Sequence, residues 1–300
     1  MAIVWHLSAI QFSQKTVVSG VLLSHHKFRA RQTDSWFSNA RQVIGSYFKN
    51  TCRNKEILVT NKRHTLKTTT NKNGSFSVTF NFKVEGEIFI HFTDKTSVLS
   101  TLQSYPILFK DPPSGLNVIS DIDETIMVSY TNTLVKRFFT TLFKTSEKRG
   151  VISFTKDLFD SLKDQNPRFF YVSKSENNLF KIISNFIQFN NLPKGPLLLT
   201  PFLNFSQLVG SKKNRDFKLN TIETLIENSK NEQFILVGDD SQRDMEIYTV
   251  IAKKYKMLIS NVYIRQTKKT ISDKQKTDWK ALQETGVKTY YFKRNEVYSS

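Results

Sequence analysis

Cysteine is nearly absent from this 300-residue chain. A single residue, Cys52, excludes an internal disulfide framework and any zinc site built on cysteine, and it fits a reducing compartment. Long apolar runs are missing too, since none approaches the ~20 residues that a membrane-spanning helix needs. The start, MAIVWHLSAIQF, has no basic residue ahead of its apolar stretch and no small-residue cleavage site, so no signal peptide is expected there. No internal repeat and no low-complexity tract interrupts the pattern. Acidic residues are few beside basic ones: 26 Asp+Glu against 44 Lys+Arg, a formal charge of +18 at pH 7. The expectation is a soluble, cytoplasmic protein with at most a peripheral association with membranes.

What is present is core material. Hydrophobic residues make up 39% of the chain and 25 residues are Phe, enough for one large domain or two ordinary ones of roughly 100–200 residues each. The excess positive charge would concentrate polyanions near the surface. Its denser patches lie at Lys212, Lys213 and Arg215, at Lys253, Lys254 and Lys256, and at Lys268 and Lys269. Anionic lipid headgroups and nucleic-acid phosphates would both answer to such a surface, as would plain solvation of a lysine-rich chain. Charge alone does not choose among them.

Two regions differ in rhythm. Residues 1–112 are expected to form a small, mainly β, sandwich-like module with one amphipathic helix over 36–48, where Trp36, Phe37, Ala40, Val43, Ile44, Tyr47 and Phe48 share a stripe. Residues 64–70 and 75–82 flank the turn NKNG and are predicted to pair as a hairpin, and EIFIHF at 87–92 is predicted to be a further strand. No acids, bases or metal ligands group in this region, which suits a binding, positioning or purely structural role. DPPSG at 111–115 then breaks the chain, because neither helix nor strand runs through it.

Beyond the break, residues 113–295 alternate between strand and helix. Buried strands are predicted at 116–120, 168–173, 196–200, 233–238, 259–264 and 288–292. Helices are predicted over Phe154–Leu162, Asn177–Phe189, Lys218–Glu227, Asp244–Tyr255 and Asp278–Glu284, the last stopped by Gly286. This alternation predicts an α/β fold, a doubly wound and mostly parallel sheet.

In open α/β sheets, reactive groups gather at the carboxyl ends of the strands. Three such ends carry conspicuous polar residues: Asp121, Asp123, Glu124 and Thr125 after the first strand, Ser173 on the second, and Asp239 and Asp240 on the fourth, with Asp244 opening the next helix. Asp121 and Asp123, two apart, project toward one point. With Asp239 they make an oxygen-rich site suited to Mg²⁺. Ser173 could donate to a phosphoryl oxygen, and Lys218 could offset its charge, with Lys213 as the competing lysine. Asp244 could equally cap its helix. The chemistry this set suits is phosphoryl transfer through an aspartyl-phosphate.

The same residues carry a family likeness. VISDIDETI, FFYVSKS, the Lys218 helix and FILVGDDSQRDMEIY resemble, in order, the four motifs of the haloacid-dehalogenase-like phosphatase superfamily. In detail they are similar to the actin-patch-associated phosphatidate phosphatase family, whose members read close to ISDIDDT, YVSNSP and FILVGDSGEKDPEIY. The resemblance spans about residues 114–265. It implies a Mg²⁺-dependent phosphatase with Asp121 as nucleophile and metal ligand. Asp123 would be general acid/base and would bind the metal through its backbone carbonyl. Thr125 would support the loop, Ser173 and Lys218 would hold the phosphoryl group, Asp239 would bind Mg²⁺, and Asp244 would orient the metal's shell. A phosphorylated substrate is implied, with an anionic lipid at a membrane surface favoured over nucleic-acid ends. The chain departs from the pattern at Glu124, expected to point outward, and at Met127, Lys174, Glu176 and Phe217. Between the first two sheet strands, 126–167 leaves room for a flap carrying Lys136, Arg137, Phe138 and Phe139.

Overall fold

The computed structural model describes residues 2–24, 50–94, 97–101, 103–127, 150–201 and 216–293, together with Glu296 and Tyr298. The helix expected over 36–48, the flap residues Lys136, Arg137, Phe138 and Phe139, and the patch at Lys212, Lys213 and Arg215 lie outside the described residues. The chain divides into two compact units. One takes in Met1–Asp111, Ser175–Asn185 and Leu199–Lys213; the other takes in Pro112–Lys174, Phe186–Leu198 and Asn214–Ser300.

The first unit is β-rich. Strands β1 (Ile3–Gln11), β2 (Thr16–Leu23), β3 (Glu56–Asn61), β4 (His64–Thr69), β5 (Ser75–Phe80), β6 (Phe89–Phe92), β7 (Ser100–Thr101) and β8 (Leu108–Phe109) form two sheets. One has the order β5-β2-β1-β7, with β8 also on β1; the other has the order β4-β3-β6. One hydrophobic cluster draws Val4, Leu7 and Ala9 from β1, Val18 and Leu22 from β2, Ile57 and Val59 from β3, and Phe76 and Phe80 from β5. Two sheets that share one core in this way form a sandwich-like layer pair. The apolar start of the chain is thus strand β1, buried at every position. A register shift between Val4 and His6 moves Val4 and Leu7 onto one face despite their odd spacing.

The NKNG turn does not close a hairpin. β4 pairs antiparallel with β3, and β5 pairs antiparallel with β2, so the turn carries the chain from one sheet to the other. Asn71 Oδ1 accepts from the backbone N–H groups of Asn73 and Ser75, and Gly74 holds φ +73°. There a Cβ would meet the Leu22 carbonyl at 2.6 Å, so the turn is packed down onto β2 and delivers β5 to that strand. The hairpin in this stretch is β3–β4, closed at Lys62 and Arg63 with Lys62 at φ 50°.

The second unit carries most of one sheet, made of strands β9 (Leu116–Ser120), β10 (Arg168–Glu176), β11 (Leu197–Thr200), β12 (Gln233–Asp239), β13 (Ile259–Arg265) and β14 (Lys288–Phe292) in the order β11-β10-β9-β12-β13-β14; the last two residues of β10 and of β11 fall in the first unit. The pairings β10–β9, β9–β12, β12–β13 and β13–β14 are all parallel. The central strands are buried nearly throughout, which is why they read as unbroken apolar runs in sequence. The helices are α1 (Ser153–Ser161), α2 (Phe180–Phe189), whose first six residues belong to the first unit, α3 (Phe217–Asn228), α4 (Asp244–Lys254) and α5 (Asp273–Gln283).

Two helix starts differ from expectation. Asn177–Leu179 is a 3₁₀ turn ahead of α2. Helix α5 begins five residues before the predicted Asp278, because Ser272 and Gln275 form a reciprocal capping box. The strand order reverses between β9 and β12: the chain moves outward to β10 and β11, then returns to the other side of β9. Two acid-bearing loops therefore leave neighbouring strands at their carboxyl ends.

Candidate functional site

Asp121 follows β9 directly, and its amide donates to the Val237 carbonyl of β12 at 2.9 Å. The residues after it form a tight turn. The amides of Ile126 and Met127 donate to the Ile122 carbonyl, and that of Glu124 donates to Met127. Glu124 takes φ 61°, the left-handed region that L-residues seldom adopt. Asp121, Asp123, Thr125, Asp239 and Asp244 are all buried.

Among the described residues, one fully buried lysine faces this group. Lys218, in the first turn of α3 and 2% exposed, places Nζ 3.0 Å from Asp121 Oδ1 and 2.6 Å from Asp244 Oδ1. Its aliphatic stem passes no open solvent, and Nζ lies 5.9 Å from the centre of the Tyr248 ring. Burial works against the ammonium charge, but the Asp121 and Asp244 carboxylates outweigh it and hold the Lys218 pKa well above the usual range. Lys213, the rival in sequence, is outside the described residues.

Asp244 is the first residue of α4, and Arg243 occupies the cap position without a side-chain capping bond, so the capping role read as an alternative does not hold. Its carboxylate instead turns back. Oδ1 meets Lys218, and Oδ2 accepts from the Asp239 amide at 3.3 Å. Gly238 makes room for this. A Cβ there would lie 2.5 Å from Asp244 Oδ2 and 2.8 Å from Tyr248 Cε2. Asp239 accepts from the Ser241 amide at 2.5 Å and from Thr125 Oγ1 at 3.4 Å.

Asp121, Asp239 and Asp244 each offer a carboxylate oxygen within 4.8 Å of the other two. Burial, followed by the mutual repulsion of these acids, pushes the Asp239 pKa well above the carboxylate range. Burial likewise raises Asp121 to about 6, with Lys218 opposing and Asp244 and Asp123 adding to the shift. Among the described residues four buried acids, counting Asp123, face one buried lysine, an excess that protons or a cation would balance. Asp121 Oδ2 is buried and has no hydrogen-bond partner among the described residues. An orphaned carboxylate oxygen inside an all-oxygen set is what a hard divalent cation would satisfy.

Asp123 stands beside this triad. Its Oδ2 accepts from Ser173 Oγ at 3.3 Å, so the serine expected to hold a phosphoryl oxygen is engaged with the acid. Asp240, next to the triad, is taken up structurally. Thr267 donates to Oδ1 through its amide and hydroxyl, and the Tyr291 hydroxyl donates to Oδ2 at 2.6 Å.

Two further residues, to which the sequence assigns no role, bear on the site. Lys174, half-buried, has its pKa lowered by desolvation and by Lys218, with Asp244 and Asp121 opposing, so it lies within the field of the site. Arg265, 1% exposed, donates from Nη1 to the Glu124 carbonyl at 2.6 Å and to Glu124 Oε2 at 3.0 Å. Glu124 therefore does not point outward: its carboxylate turns in to pair with a buried arginine. The signal available was an arginine closing the otherwise apolar run VYIR at a strand's carboxyl end. Cys52 is buried, and desolvation raises its thiol pKa, as suits an inert core residue.

A family model described as "Phosphatidate phosphatase APP1, catalytic domain" matches residues 116–266. Phosphatidate phosphatase APP1 of Saccharomyces cerevisiae is 31% identical over 175 residues, which cover 57% of this chain and 29% of that protein. An uncharacterized protein of Schizosaccharomyces pombe is 23% identical over 199 residues, 65% of this chain and 31% of that one. The match thus spans under a third of the length of either relative. A solved carbohydrate acetylesterase from Xanthomonas citri aligns over 98% of this chain and 68% of its own at 9% identity, with a TM-score of 0.33, too loose a likeness to inform fold or function.

Proposed function

Because the chain belongs to the family of phosphatidate phosphatase APP1 catalytic domains, we propose that it is a Mg²⁺-dependent phosphomonoester hydrolase that acts through an aspartyl-phosphate on a phosphatidate-like lipid. The observation that carries this reading is the buried cluster of Asp121, Asp239 and Asp244 around Lys218. In this reading residues 113–295 are a doubly wound, haloacid-dehalogenase-like domain and residues 1–112 are a separate β-rich module. The reversal of strand order at β9 and β12, the usual place for a ligand crevice in open α/β sheets, supports that assignment.

Asp121, Asp239 and Asp244, with the backbone carbonyl of Asp123, would hold the cation. When bound, it supplies positive charge that offsets the repulsion between a carboxylate nucleophile and an anionic phosphate. The chain's own groups do the rest. Asp121 attacks phosphorus in line, and the bond to the ester oxygen breaks as the Asp121–phosphorus bond forms. Asp123, held by Ser173, gives its proton to the departing alkoxide. It then takes a proton from the water that attacks the phosphorylated Asp121, releasing phosphate and restoring the carboxylate.

Lys218 keeps its charge beside the nucleophile because two acids hold it, so it stabilises the negative charge that develops on the phosphoryl oxygens. Lys174 adds a second cation near the substrate's phosphate. A lipid substrate suits the net charge of +18, which draws the protein to anionic surfaces. No described helix is long and apolar enough to cross a membrane, so contact with lipid would run through the surface.

The test is phosphate release with Mg²⁺ from phosphatidate in mixed micelles, from a 3′-phosphorylated oligonucleotide and from a small aryl phosphate, with Asp121→Asn as the blank. Phosphatidate should be hydrolysed, and Asp121→Asn should lower turnover by at least about 10³-fold, in the range that loss of a nucleophile produces. Turnover of the oligonucleotide alone would overturn the lipid assignment. Activity that survives Asp121→Asn would overturn the mechanism, and phosphate release from none of the three would leave a scaffold.

A further inference from the structure

The two acid-bearing loops meet at a residue that carries no chemistry of its own. We infer that Arg265 is a positioning residue, whose guanidinium holds Glu124 in the left-handed conformation that aims Asp123 and its carbonyl into the site. The inference rests on the phosphatase reading of that site.

Arg265 ends β13 and pairs in register with Asp239. Its backbone carbonyl accepts from the Asp240 amide at 3.0 Å, which ties it to the β12 loop. Its side chain reaches the other loop, with Nη1 bonded to both the carbonyl and the carboxylate of Glu124. Backbone on one side and guanidinium on the other thus connect Asp239 to the turn that carries Asp121 and Asp123.

Glu124 is where that connection matters. A glutamate at φ 61° is strained, and a strained residue persists only where its surroundings over-determine it. Two charge-assisted bonds from one buried nitrogen, one to the main chain and one to the side chain, supply that constraint. The φ torsion of Glu124 fixes how the preceding peptide is turned relative to the anchored Glu124 carbonyl. That preceding peptide contains the Asp123 carbonyl. Two further links between the loops, the Asp121 amide to Val237 and the long 3.4 Å contact of Thr125 with Asp239, do not touch Glu124.

A misplacement of about 1 Å in a catalytic group can lower turnover by about 10²-fold. Arg265→Met should therefore lower kcat about 10- to 100-fold while KM for the phosphoester changes less than about threefold, and calorimetric Mg²⁺ affinity should fall about tenfold. Asn tolerates the left-handed region, so Arg265→Met combined with Glu124→Asn should recover about tenfold of the lost kcat and most of the Mg²⁺ affinity. Arg265→Lys, which keeps the charge and reaches one acceptor, should lie between wild type and Arg265→Met. It serves as the informative variant if Arg265→Met does not fold.

Hydrogen exchange at the Glu124 and Ile126 amides should speed up in Arg265→Met and slow again in the double variant. Unchanged kcat and Mg²⁺ affinity in a folded Arg265→Met protein would overturn the inference. So would a loss of kcat with no change in exchange or Mg²⁺ affinity, or a double variant no better than the single one. If wild type itself releases no phosphate, the phosphatase reading fails, while exchange at the turn and Mg²⁺ affinity still decide whether Arg265 holds it.

Discussion

His6 should make the β-rich unit sensitive to mild acid. It lies on β1, 7% exposed, with its ring stacked on Phe180 at 4.0 Å between centres and Nδ1 2.8 Å from Asn177 Oδ1. Burial lowers its pKa from 6.5 to about 4, although the Asn177 bond works in the opposite direction. The folded protein keeps the ring neutral, with the Nδ1 proton donated to Asn177. In the unfolded chain the ring takes up a proton near pH 6.5. The folded pKa is depressed, so the unfolded state binds more protons between these values and stability falls as pH drops through 6.5 toward 4. At 1.36 kcal/mol per unit, the loss is about 2 kcal/mol between pH 7 and pH 5 and about 3 kcal/mol by pH 4.

Native-state hydrogen exchange of the Leu7 and Ala9 amides, followed across that range, reads this unit directly. His6→Phe keeps the stack on Phe180 and removes the proton site. It should cost about 1 kcal/mol at pH 7 for the lost hydrogen bond, and its exchange should lack about 2 kcal/mol of the decline that wild type shows by pH 5. Carboxylates common to both proteins cancel in the difference. Parallel pH profiles for the two proteins, or a His6 ring titrating near 6.5 by NMR, would refute the reasoning.

Further outcomes follow from buried charge and close packing in the α/β unit. Arg168 Nη2 meets Glu232 Oε2 at 3.1 Å, both side chains are buried, and Asn117 donates to the same oxygen. Glu232→Leu should cost about 3–5 kcal/mol in urea unfolding by stranding the arginine, while Arg168→Met combined with Glu232→Leu should cost clearly less. Equal losses for the single and double variants would contradict this account. Divalent-cation affinity should weaken as pH falls below about 6, where Asp121 protonates, because the cation must displace the proton. Calorimetry in two buffers of different ionisation enthalpy should show proton release at pH 6, and buffer-independent heats would count against it. Gly238→Ala should destabilise by about 1–3 kcal/mol and weaken cation binding, since its Cβ displaces Asp244 Oδ2. Unchanged melting and affinity would mean that Asp244 has room to move.

The sequence, unaided, determined the elements of the α/β unit and the identities of its acids. Strands such as QFILVG are buried on both faces, so their apolar runs stand out locally, and the acids at their ends stand out against them. The order of the motifs along the chain was also legible, because each motif lies on one strand end. Tertiary structure alone decided which ends are neighbours, that Lys218 sits between Asp121 and Asp244, and that Asp244 faces inward and does not cap its helix. It also decided that Glu124 pairs with Arg265, 141 residues away, and that the NKNG turn joins two sheets. Turn chemistry and periodicity act over a few residues, whereas pairing partners and ion pairs depend on where distant strands pack. No window of sequence contains that information.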